Sequence, residues 1–379
     1  MSTKNRGTTQ LIMNFYPKEQ LPEIRYIDKN ISILKKSTDS SDSILIHQRR
    51  YLGNKYNALP LIDSVIKQKI KSFNSFCDIF SGTGTVGDYY NKKDISIISN
   101  DILYSNYITL TAFLGDETFN DSLVIEIINY FNGFIEEEEN YCSEYFGDRY
   151  FSMQNAKKIG SIREEIEDLY RKKEINFREK SIILTSLIYA MDKIANTVGH
   201  YDAYIKKEIE SKVLKLKKPK IIDSKNSKNR IFNEDSNSLI KKIKGDILYI
   251  DPPYNSRQYC DNYHLLENIA RWEKPKVKGV ANKFDRTHLK SRYNLKEAPV
   301  AFDELIRESN FRYILFSYNN MQKKGNSRSN AKISDEQIMD TLGQKGKVEV
   351  FEQDYKAFTT GKSCREDNKE RIFFVEVDR

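Results

Sequence analysis

The chain has 379 residues, of which 39% are hydrophobic and 31% are charged, and its formal net charge is +8. This composition is typical of a folded protein with two or three units of ordinary domain size, and it excludes an intrinsically disordered chain. No apolar run approaches the roughly 20 residues that a membrane-spanning helix needs, and residues 1–10 lack an apolar signal core. We therefore expect an intracellular, cytoplasmic protein.

The positive charge is spread along the chain rather than collected in one tail. A folded domain with this excess attracts polyanions, and nucleic acid comes first among them. A lysine-rich solvated surface explains the charge equally well, so charge alone does not decide. The four cysteines and the four histidines stand far apart, a pattern that predicts no metal site and no disulfide framework.

Short apolar runs bounded by polar or turn residues predict the buried strands of a parallel sheet. Residues 1–45 are polar, and we expect them to form an N-terminal arm. The predicted strands are, in chain order, Ser75–Phe80, Ile95–Ser99, Ile247–Ile250 and Tyr313–Phe316, followed by an antiparallel pair at Lys347–Phe351 and Arg371–Val377.

The stretch 104–229 has a different pattern, because apolar side chains recur there at helical spacing, most clearly in Ser181–Thr197. Its end, 206–230, is very basic. We therefore expect an α/β core made of 46–103 and 230–379, interrupted by a largely helical insertion. A second basic segment, 274–292, is expected to loop out of the core.

The strongest chemical signal is Asp251-Pro252-Pro253-Tyr254, directly after a predicted strand. The exocyclic amine of adenine is a poor nucleophile because its lone pair is delocalised into the ring. The Asp251 carboxylate and the Pro252 carbonyl can accept its two N–H groups and localise that lone pair, while the prolines fix φ. Tyr254 offers a face on which a flipped base can stack. A proline turn is the alternative, but the strand end favours the functional interpretation.

A glycine-rich turn follows the predicted strand Ser75–Phe80. Gly82, Gly84 and Gly87 match G-x-G-x-x-G, a spacing that lets a backbone approach a ligand closely and that is weak evidence alone. Asp101 ends the next strand, where an acid can accept hydrogen bonds from ribose hydroxyls. Nicotinamide cofactors and S-adenosylmethionine both contain such a ribose, so the tetrapeptide, not this turn, favours S-adenosylmethionine.

Two weaker features complete the candidate cofactor site. In the basic turn Arg49–Lys55, Lys55 could pair with the carboxylate at the methionine end of S-adenosylmethionine. The run Ile231–Asp235 predicts a strand that ends in an acid. Asp235 either accepts a hydrogen bond from the cofactor's adenine or caps the next helix.

Together these motifs resemble those of the alpha group of DNA adenine-N6 methyltransferases, which includes Dam-type and several restriction-modification enzymes. The order of motifs matches from about Arg49 to Asn320, and the runs 196–204 and 251–272 are similar to a restriction-modification subset. The resemblance implies an α/β, Rossmann-like S-adenosylmethionine-dependent methyltransferase sheet with an added antiparallel hairpin. It also implies that 104–229 is a largely helical target-recognition insertion.

The resemblance assigns roles to residues. Tyr51, which stands where some members have Trp, and Lys55 would hold the methionine part of the cofactor. The implied cofactor-binding residues are Tyr51, Lys55, Asp78, Phe80, Gly82, Gly84, Asp101, Asp235 and Asp251. The implied catalytic residues are Asp251, Pro252, Pro253 and Tyr254.

The expected partner is double-stranded DNA, with a cognate restriction endonuclease acting on the same site if the chain belongs to a restriction-modification system. The candidate DNA-binding residues are His200, Tyr201, Asp202, Tyr204, Arg257 and Tyr259. Tyr259 and Tyr263 either line a pocket for the flipped base or pack against the core. Nothing in the residue pattern identifies the target sequence, because readout depends on which side chains enter which groove.

Several other functions compete with this interpretation. Cytosine-N4 and protein-glutamine methyltransferases usually place Ser or Asn where this chain has Asp251. A nicotinamide-dependent enzyme would leave the tetrapeptide without a role. An RNA substrate is compatible with the charge. A catalytically silent DNA-binding regulator would have no need of an intact Asp251 and Lys55.

Overall fold

The computed structural model describes residues 24–26, 43–210, 212–222, 226–254, 256–319, 331–354 and 369–378. Most of the predicted N-terminal arm lies outside these residues. Cys77, Cys142 and Cys260 are buried free thiols. Among the described helices, none is long and apolar enough to cross a membrane.

In the described part of the chain, eight strands form one sheet in the order β1-β7-β8-β6-β5-β2-β3-β4. Neighbouring strands are parallel except for the two pairs that include β8, so β8 alone runs against the others. The strands are β1 Ile24–Tyr26, β2 Ser75–Asp78, β3 Ser96–Asn100, β4 Arg230–Phe232, β5 Gly245–Ile250, β6 Phe311–Ser317, β7 Val348–Asp354 and β8 Lys369–Glu376.

Helices cover both faces of this sheet and form the long segment between β3 and β4. The described α-helices are α1 Leu59–Lys69, α2 Thr85–Asn91, α3 Tyr104–Leu114, α4 Asp121–Gly133, α5 Tyr141–Phe146, α6 Met153–Arg171, α7 Phe177–Ile194, α8 Ser236–Leu239, α9 Tyr259–Asn262, α10 His264–Arg271, α11 Ala298–Glu308 and α12 Asp335–Gly343. Short 3₁₀ turns lie at Ile46–Gln48, Lys55–Ala58, Ile240–Lys242, Thr287–Leu289 and Arg292–Asn294.

Alternate residues of each central strand enter two different apolar clusters. In β5, Ile247 and Tyr249 pack with the helices of one face, and Leu248 and Ile250 pack with those of the other. Successive side chains of a strand point to opposite faces, so a sheet with both faces covered needs a continuous apolar run. This requirement explains why these strands were recognisable as short unbroken apolar runs.

The segment between β3 and β4 packs on the same face as α1 and α2. Its most completely buried helix is α7, which begins where the Asn176 side chain accepts from the Glu179 amide and the Glu179 carboxylate accepts from the Asn176 amide. Such a capping box satisfies two backbone donors that a helix start otherwise leaves open. The helix begins before the predicted Ser181 and ends at Ile194 rather than Thr197.

The α/β fold, the four internal strands and the closing antiparallel pair are confirmed, with ends that differ from the predicted ones by a few residues. The predicted strand at Ile231–Asp235 ends at Phe232, and Asp235 starts α8 instead. The basic segment 274–292 contains an isolated bridge between Lys278 and Lys283 but no regular strand or α-helix. Within it, Phe284 and Leu289 are buried in the core, and Val277 packs against it.

The strand order reverses direction at one position of this sheet, between β2 and β5. From β2 the chain continues to β3 and β4 on one side, whereas β5 and β6 lie on the other. In open α/β sheets a crevice forms at the carboxyl ends of the strands where the order changes direction. Here that position joins the end of β2, which carries Asp78, to the end of β5, which leads into Asp251.

Candidate active site

A cleft opens at the carboxyl ends of β2 and β5. It encloses about 1060 Å³, part of it open to solvent. Four segments that are distant in sequence supply its walls. They are 51–55 before α1, residues of the stretch 78–86 at the end of β2, 235–236 at the start of α8, and Tyr249, Asp251, Pro253 and 258–260 at and after the end of β5. Three further stretches, 101–103, 288–291 and 293–294, close it.

The glycine-rich turn after β2 brings backbone into the cleft. Gly82 and Gly84 have φ of 54° and 81°, a left-handed conformation that glycine adopts at little cost. A Cβ at Gly82 would lie 3.0 Å from Cε1 of Tyr51, and one at Gly84 would lie 2.5 Å from a methyl of Leu110. The turn therefore needs glycine for its conformation and for its close packing.

Two carboxylates stand at the ends of neighbouring strands on either side of this turn. Asp101 accepts hydrogen bonds from the amides of Gly82 at 2.9 Å and Leu103 at 2.8 Å, and burial raises its pKa to about 6. Asp78 is also buried, and its pKa is raised well above the ordinary value by burial, with a further rise from Asp251. Oδ1 of Asp78 has no hydrogen-bond partner among the described residues, so the cleft holds a buried acceptor that needs a donor.

Lys55 links the N-terminal motif to the tetrapeptide. Its Nζ lies 3.1 Å from Oδ1 of Asp251 and 2.7 Å from Oε1 of Glu370 on β8. Burial raises the pKa of Asp251 to about 6, against the lowering effect of Lys55. The pKa of Lys55 is raised well above its ordinary value, because the two carboxylates outweigh the lowering effect of burial. The sequence suggested Lys55 as a partner of a cofactor carboxylate, and it did not suggest either of these ion pairs.

Tyr51 belongs to a cluster of three tyrosine rings. Its centroid lies 5.2 Å from that of Tyr259 and 4.7 Å from that of Tyr263, and all three rings are stacked. Its hydroxyl accepts from Asn106, which in turn accepts from Arg49. The ring is therefore fixed beside Gly82, where it lines the cleft.

The other two tyrosines of this cluster also hold the N-terminal motif. The Tyr263 hydroxyl accepts from the Leu52 amide at 2.7 Å, and the Tyr259 hydroxyl donates to the Leu52 carbonyl at 3.0 Å. Tyr263 is buried, whereas Tyr259 is half-buried and lines the cleft. Of the two alternatives for Tyr263, packing against the core describes its position here.

The rest of the tetrapeptide continues from Asp251 along the rim of the cleft. Pro252 is buried, and Pro253 lines the cleft. Tyr254 is half-buried with its ring edge-on to Tyr318 at 6.0 Å. Its carbonyl accepts from the Lys332 amide, so the segment before α12 holds its backbone, while its ring packs on the residue that follows β6.

The far end of the cleft combines an aromatic wall with an acid. The ring of Phe80 meets that of Tyr293 edge-on at 4.9 Å. Asp235 caps α8 by accepting from the amide and hydroxyl of Ser238, and both bonds fall on Oδ1. Asp235 also lines the cleft, so capping does not exclude a role towards a ligand.

The candidate DNA-binding residues occupy a loop next to the N-terminal motif. Arg50 donates to the carbonyl and hydroxyl of Thr197, which fixes this loop beside the cleft. His200 is half-buried, and burial and the charges of Arg257 and Lys283 lower its pKa, against the opposing effect of Asp202. Asp202 pairs with Lys283. The loop, the exposed Arg257 and the basic segment 274–292 therefore share one surface.

Two members of that candidate set are less accessible. Tyr201 is only 1% exposed, and its hydroxyl donates to Asp192 at 2.6 Å. Its side chain supports the loop from inside rather than lying on the surface, which the residue pattern did not reveal. Tyr204 is half-buried, with its ring edge-on to Tyr150.

Sequence reasoning missed several residues that line the cleft or contact its lining residues. Glu370 comes from a strand at the other end of the chain, and no local motif marks it. Gln258 and Ser291 exchange two hydrogen bonds, which bring 288–294 over the cleft. Tyr293 and Gln258 both line the cleft. In the sequence, Tyr293 is one aromatic residue near a basic stretch and Gln258 is one polar residue beside Arg257, so neither was predicted to belong to the site. In the ranges that the structure describes, no cluster of His, Cys, Asp or Glu is arranged to hold a metal ion.

Comparison with known proteins identifies the family. The profile of the D12 class N6 adenine-specific DNA methyltransferases matches residues 51–329. The chain is 36% identical over 352 residues to the Type II methyltransferase M.FokI of Planomicrobium okeanokoites, covering 87% of this chain and 53% of that one. It is 37% identical over 289 residues to the modification methylase StsI of Streptococcus sanguinis, covering 72% and 44%.

A shorter relative matches along most of its length. The chain is 32% identical over 310 residues to the Type II methyltransferase M.NlaIII of Neisseria lactamica, covering 79% of this chain and 88% of that protein. By contrast, the chain spans about half the length of M.FokI and StsI. The matched residues include the N-terminal motif, the glycine-rich turn and the tetrapeptide, so the chain belongs to the D12 class of N6 adenine-specific DNA methyltransferases.

Proposed function

We propose that this chain transfers a methyl group from S-adenosylmethionine to N6 of a flipped adenine at a specific site in duplex DNA. The observation that carries the proposal is the position of Asp251. Its carboxylate lies at the end of β5, in the cleft beside the glycine-rich turn, and is held by Lys55. Family membership supports the reaction type, and this cleft supplies residues suited to both substrates.

The residues present fit S-adenosylmethionine. Its ribose hydroxyls and ammonium group are donors, and the cleft offers acceptors at Asp78 and Asp101. The unpartnered buried oxygen of Asp78 needs such a donor. The carboxylate of Asp101 accepts one amide on each oxygen and has further lone pairs for hydroxyls. Phe80 and Asp235 would hold the adenine, and Tyr51 would pack against the methionine part.

When bound, this cofactor supplies an electrophilic methyl group on a sulfonium. The chain's own contribution is to orient and activate the target amine. Asp251 and the Pro252 carbonyl accept its two N–H groups, which localises the nitrogen lone pair. Tyr254 stacks on the flipped base. Because the pKa of Asp251 is about 6, it is mainly a carboxylate at neutral pH and is able to accept.

The surface beside the cleft is proposed to bind the DNA. His200, Asp202 and Tyr204 lie on the loop that Arg50 fixes next to the N-terminal motif, and Arg257 stands close to His200. A net charge of +8 favours a polyanion. We assign target recognition to the 104–229 segment, with 274–292 as a further DNA-contacting loop.

Finer assignments follow from the order of motifs and from the relatives. The order, with the lysine-bearing motif first and the tetrapeptide last, supports the alpha-group, Dam-type subclass. The names of the relatives describe Type II methyltransferases and modification methylases. We therefore propose that the chain protects the recognition site of a cognate restriction endonuclease, inside the cell.

The test is a transfer assay with tritiated S-adenosylmethionine on unmethylated DNA, RNA and total protein, followed by nucleoside mass spectrometry. N6-methyladenine in DNA is the expected product, and sequencing the modified positions gives the target. Label in RNA or protein but not in DNA would refute the DNA assignment. The absence of transfer to any of the three would favour a catalytically silent DNA-binding protein.

A further inference from the structure

A second acid stands behind the lysine that contacts Asp251. Glu370 is the second residue of β8, and its Oε1 lies 2.7 Å from Lys55 Nζ, closer than the 3.1 Å from Nζ to Asp251. The side chains of these three residues are only 13%, 16% and 9% exposed for Lys55, Asp251 and Glu370. Ser317 at the end of β6 also approaches Oε1 of Glu370, at 3.4 Å. The lysine is therefore held between two buried carboxylates.

This arrangement places Lys55 against one of the two oxygens of Asp251. Lys55 contacts Oδ1 of Asp251, so its ammonium lies on that side of the carboxylate and Oδ2 is the candidate acceptor for the target amine. Without the charge of Glu370, Asp251 would be the nearest remaining anion. A flexible ammonium would then move onto it and compete with the target amine for its lone pairs.

We propose that Glu370 is a positioning residue that draws Lys55 back from Asp251, so that one carboxylate oxygen stays available to the target adenine. This inference rests on the proposed function. It adds a residue from the carboxyl-terminal strand to a site otherwise built from the three motifs of the chain.

This role predicts a measurable change in the pH dependence of the reaction. Glu370 raises the pKa of Asp251 and Lys55 lowers it, while burial is the largest influence. The titratable and charged groups that face Asp251 are Lys55, Glu370, Asp78, Tyr249, Tyr254 and Tyr259. Removing the negative charge of Glu370 while keeping Lys55 therefore lowers the pKa of Asp251. The acid limb of the pH profile should move to lower pH even though the enzyme becomes slower.

The critical variant is Glu370→Gln, which keeps the shape of the side chain. A matched control is Glu352→Gln on β7. Glu352 is also buried, at 2% exposure, and pairs at 2.6 Å with Lys369 on the same hairpin rather than with Lys55. For both variants and the wild type, kcat, KM for DNA and cofactor, the pH profile of kcat/KM and the urea midpoint are measured with the full chain.

For Glu370→Gln we expect kcat to fall by about 10- to 100-fold, since misplacing a reacting group by about 1 Å costs up to about 100-fold. KM for DNA changes less, and the acid limb shifts to lower pH. Glu352→Gln should keep the kcat and the acid limb of the wild type. A wild-type kcat or an unmoved acid limb in Glu370→Gln overturns the proposal, as does an equal loss of kcat in both variants.

A third variant keeps the proposal testable if Glu370→Gln does not fold. Glu370→Asp retains the charge on a shorter side chain, so kcat should fall while the acid limb stays near its wild-type pH. A wild-type kcat in this variant would count against positioning. If the wild-type chain makes no N6-methyladenine, the proposed function fails first and this inference falls with it. If the wild type is active and the variants match it, only the inference fails.

Discussion

Replacing Asp251 with asparagine should lower the rate of methyl transfer and raise the stability of the folded chain, so the two effects of this carboxylate can be measured separately. Lys55 forms an ion pair with Oδ1 at this position, so it would attract the carbonyl oxygen of the new amide. The amide N–H groups would then face the target amine, and a donor would oppose a donor. We expect kcat to fall by about 10²- to 10³-fold, comparable to losing one oriented hydrogen bond at a reacting centre.

The same substitution should stabilise the folded chain in a pH-dependent way. Burial raises the pKa of Asp251 from 3.8 to about 6. The folded state therefore holds this proton more tightly than the unfolded chain, and the carboxylate destabilises the fold increasingly as pH rises through this range. The full difference of 2.2 (6 minus 3.8) is worth about 3 kcal/mol near pH 8. Near pH 5 only about half of this destabilisation has developed, because the carboxyl group is ionised in the unfolded chain and still largely protonated in the folded one.

The measurement is urea unfolding of wild type and Asp251→Asn near both pH values. Asparagine cannot ionise, so its advantage over the wild type should grow by on the order of 1 kcal/mol between the two pH values, whatever constant the amide itself contributes. An advantage that does not change with pH would refute the assignment of a raised pKa to Asp251. A variant that keeps wild-type activity would refute its role as the acceptor.

Asp63 on α1 provides a control of opposite sign. It is 1% exposed and binds Lys67 and Lys93 at 2.8 and 2.5 Å. Burial raises its pKa, but the two lysines outweigh burial and lower it overall. The stability that its carboxylate contributes is present at neutral pH and is lost as pH falls through the folded pKa. Asp63→Asn should therefore lose more stability at neutral pH than in acid, with methylation retained.

Three further variants test other parts of the site. Gly82→Ala should destabilise the chain by about 1 kcal/mol or more and weaken cofactor binding, because φ is positive and the new Cβ meets Tyr51. Gly133→Ala, where a Cβ has open space, should change neither stability nor cofactor binding. Both quantities are measured by calorimetry. Asp101→Asn should raise the Kd for S-adenosylhomocysteine about tenfold, because the NH₂ group of asparagine replaces one of the two oxygens that accept from Gly82 and Leu103. An unchanged Kd would contradict the proposed role of Asp101 in cofactor binding. Arg257→Ala should reduce the slope of log affinity for DNA against log salt by about 1, and an equal slope would remove Arg257 from the phosphate contacts.

The sequence was sufficient for the central strands and for the strand-end acids, for a common physical reason. A buried parallel strand must be apolar on both faces, and its carboxyl end faces the crevice. The runs before Asp78 and Asp251 satisfied the first condition, so the second placed both acids in one cleft. Asp235 was ambiguous because capping a helix and facing the cleft use the same strand-end position, and the structure allows both.

Other features depend on tertiary contacts that leave no local pattern. Tyr201 lies in a polar stretch that suggests a surface, yet Asp192 on the preceding helix provides a buried acceptor for its hydroxyl. The return of 288–294 to the cleft rests on Gln258, which is a partner of Ser291 only after folding. A single polar residue in a loop does not indicate in the sequence which residue it will bond after folding.

The direction of β8 explains how a residue from the carboxyl-terminal hairpin reaches Lys55. Because β8 runs antiparallel beside β6, the start of β8 lies beside the carboxyl end of β6, at the same edge of the sheet as the ends of β2 and β5. A further parallel strand would place its amino-terminal residues at the opposite edge, far from the cleft. Reversal of this strand is what brings Glu370 within 2.7 Å of Lys55. The added hairpin thus supplies a charged group to the active site as well as extending the sheet.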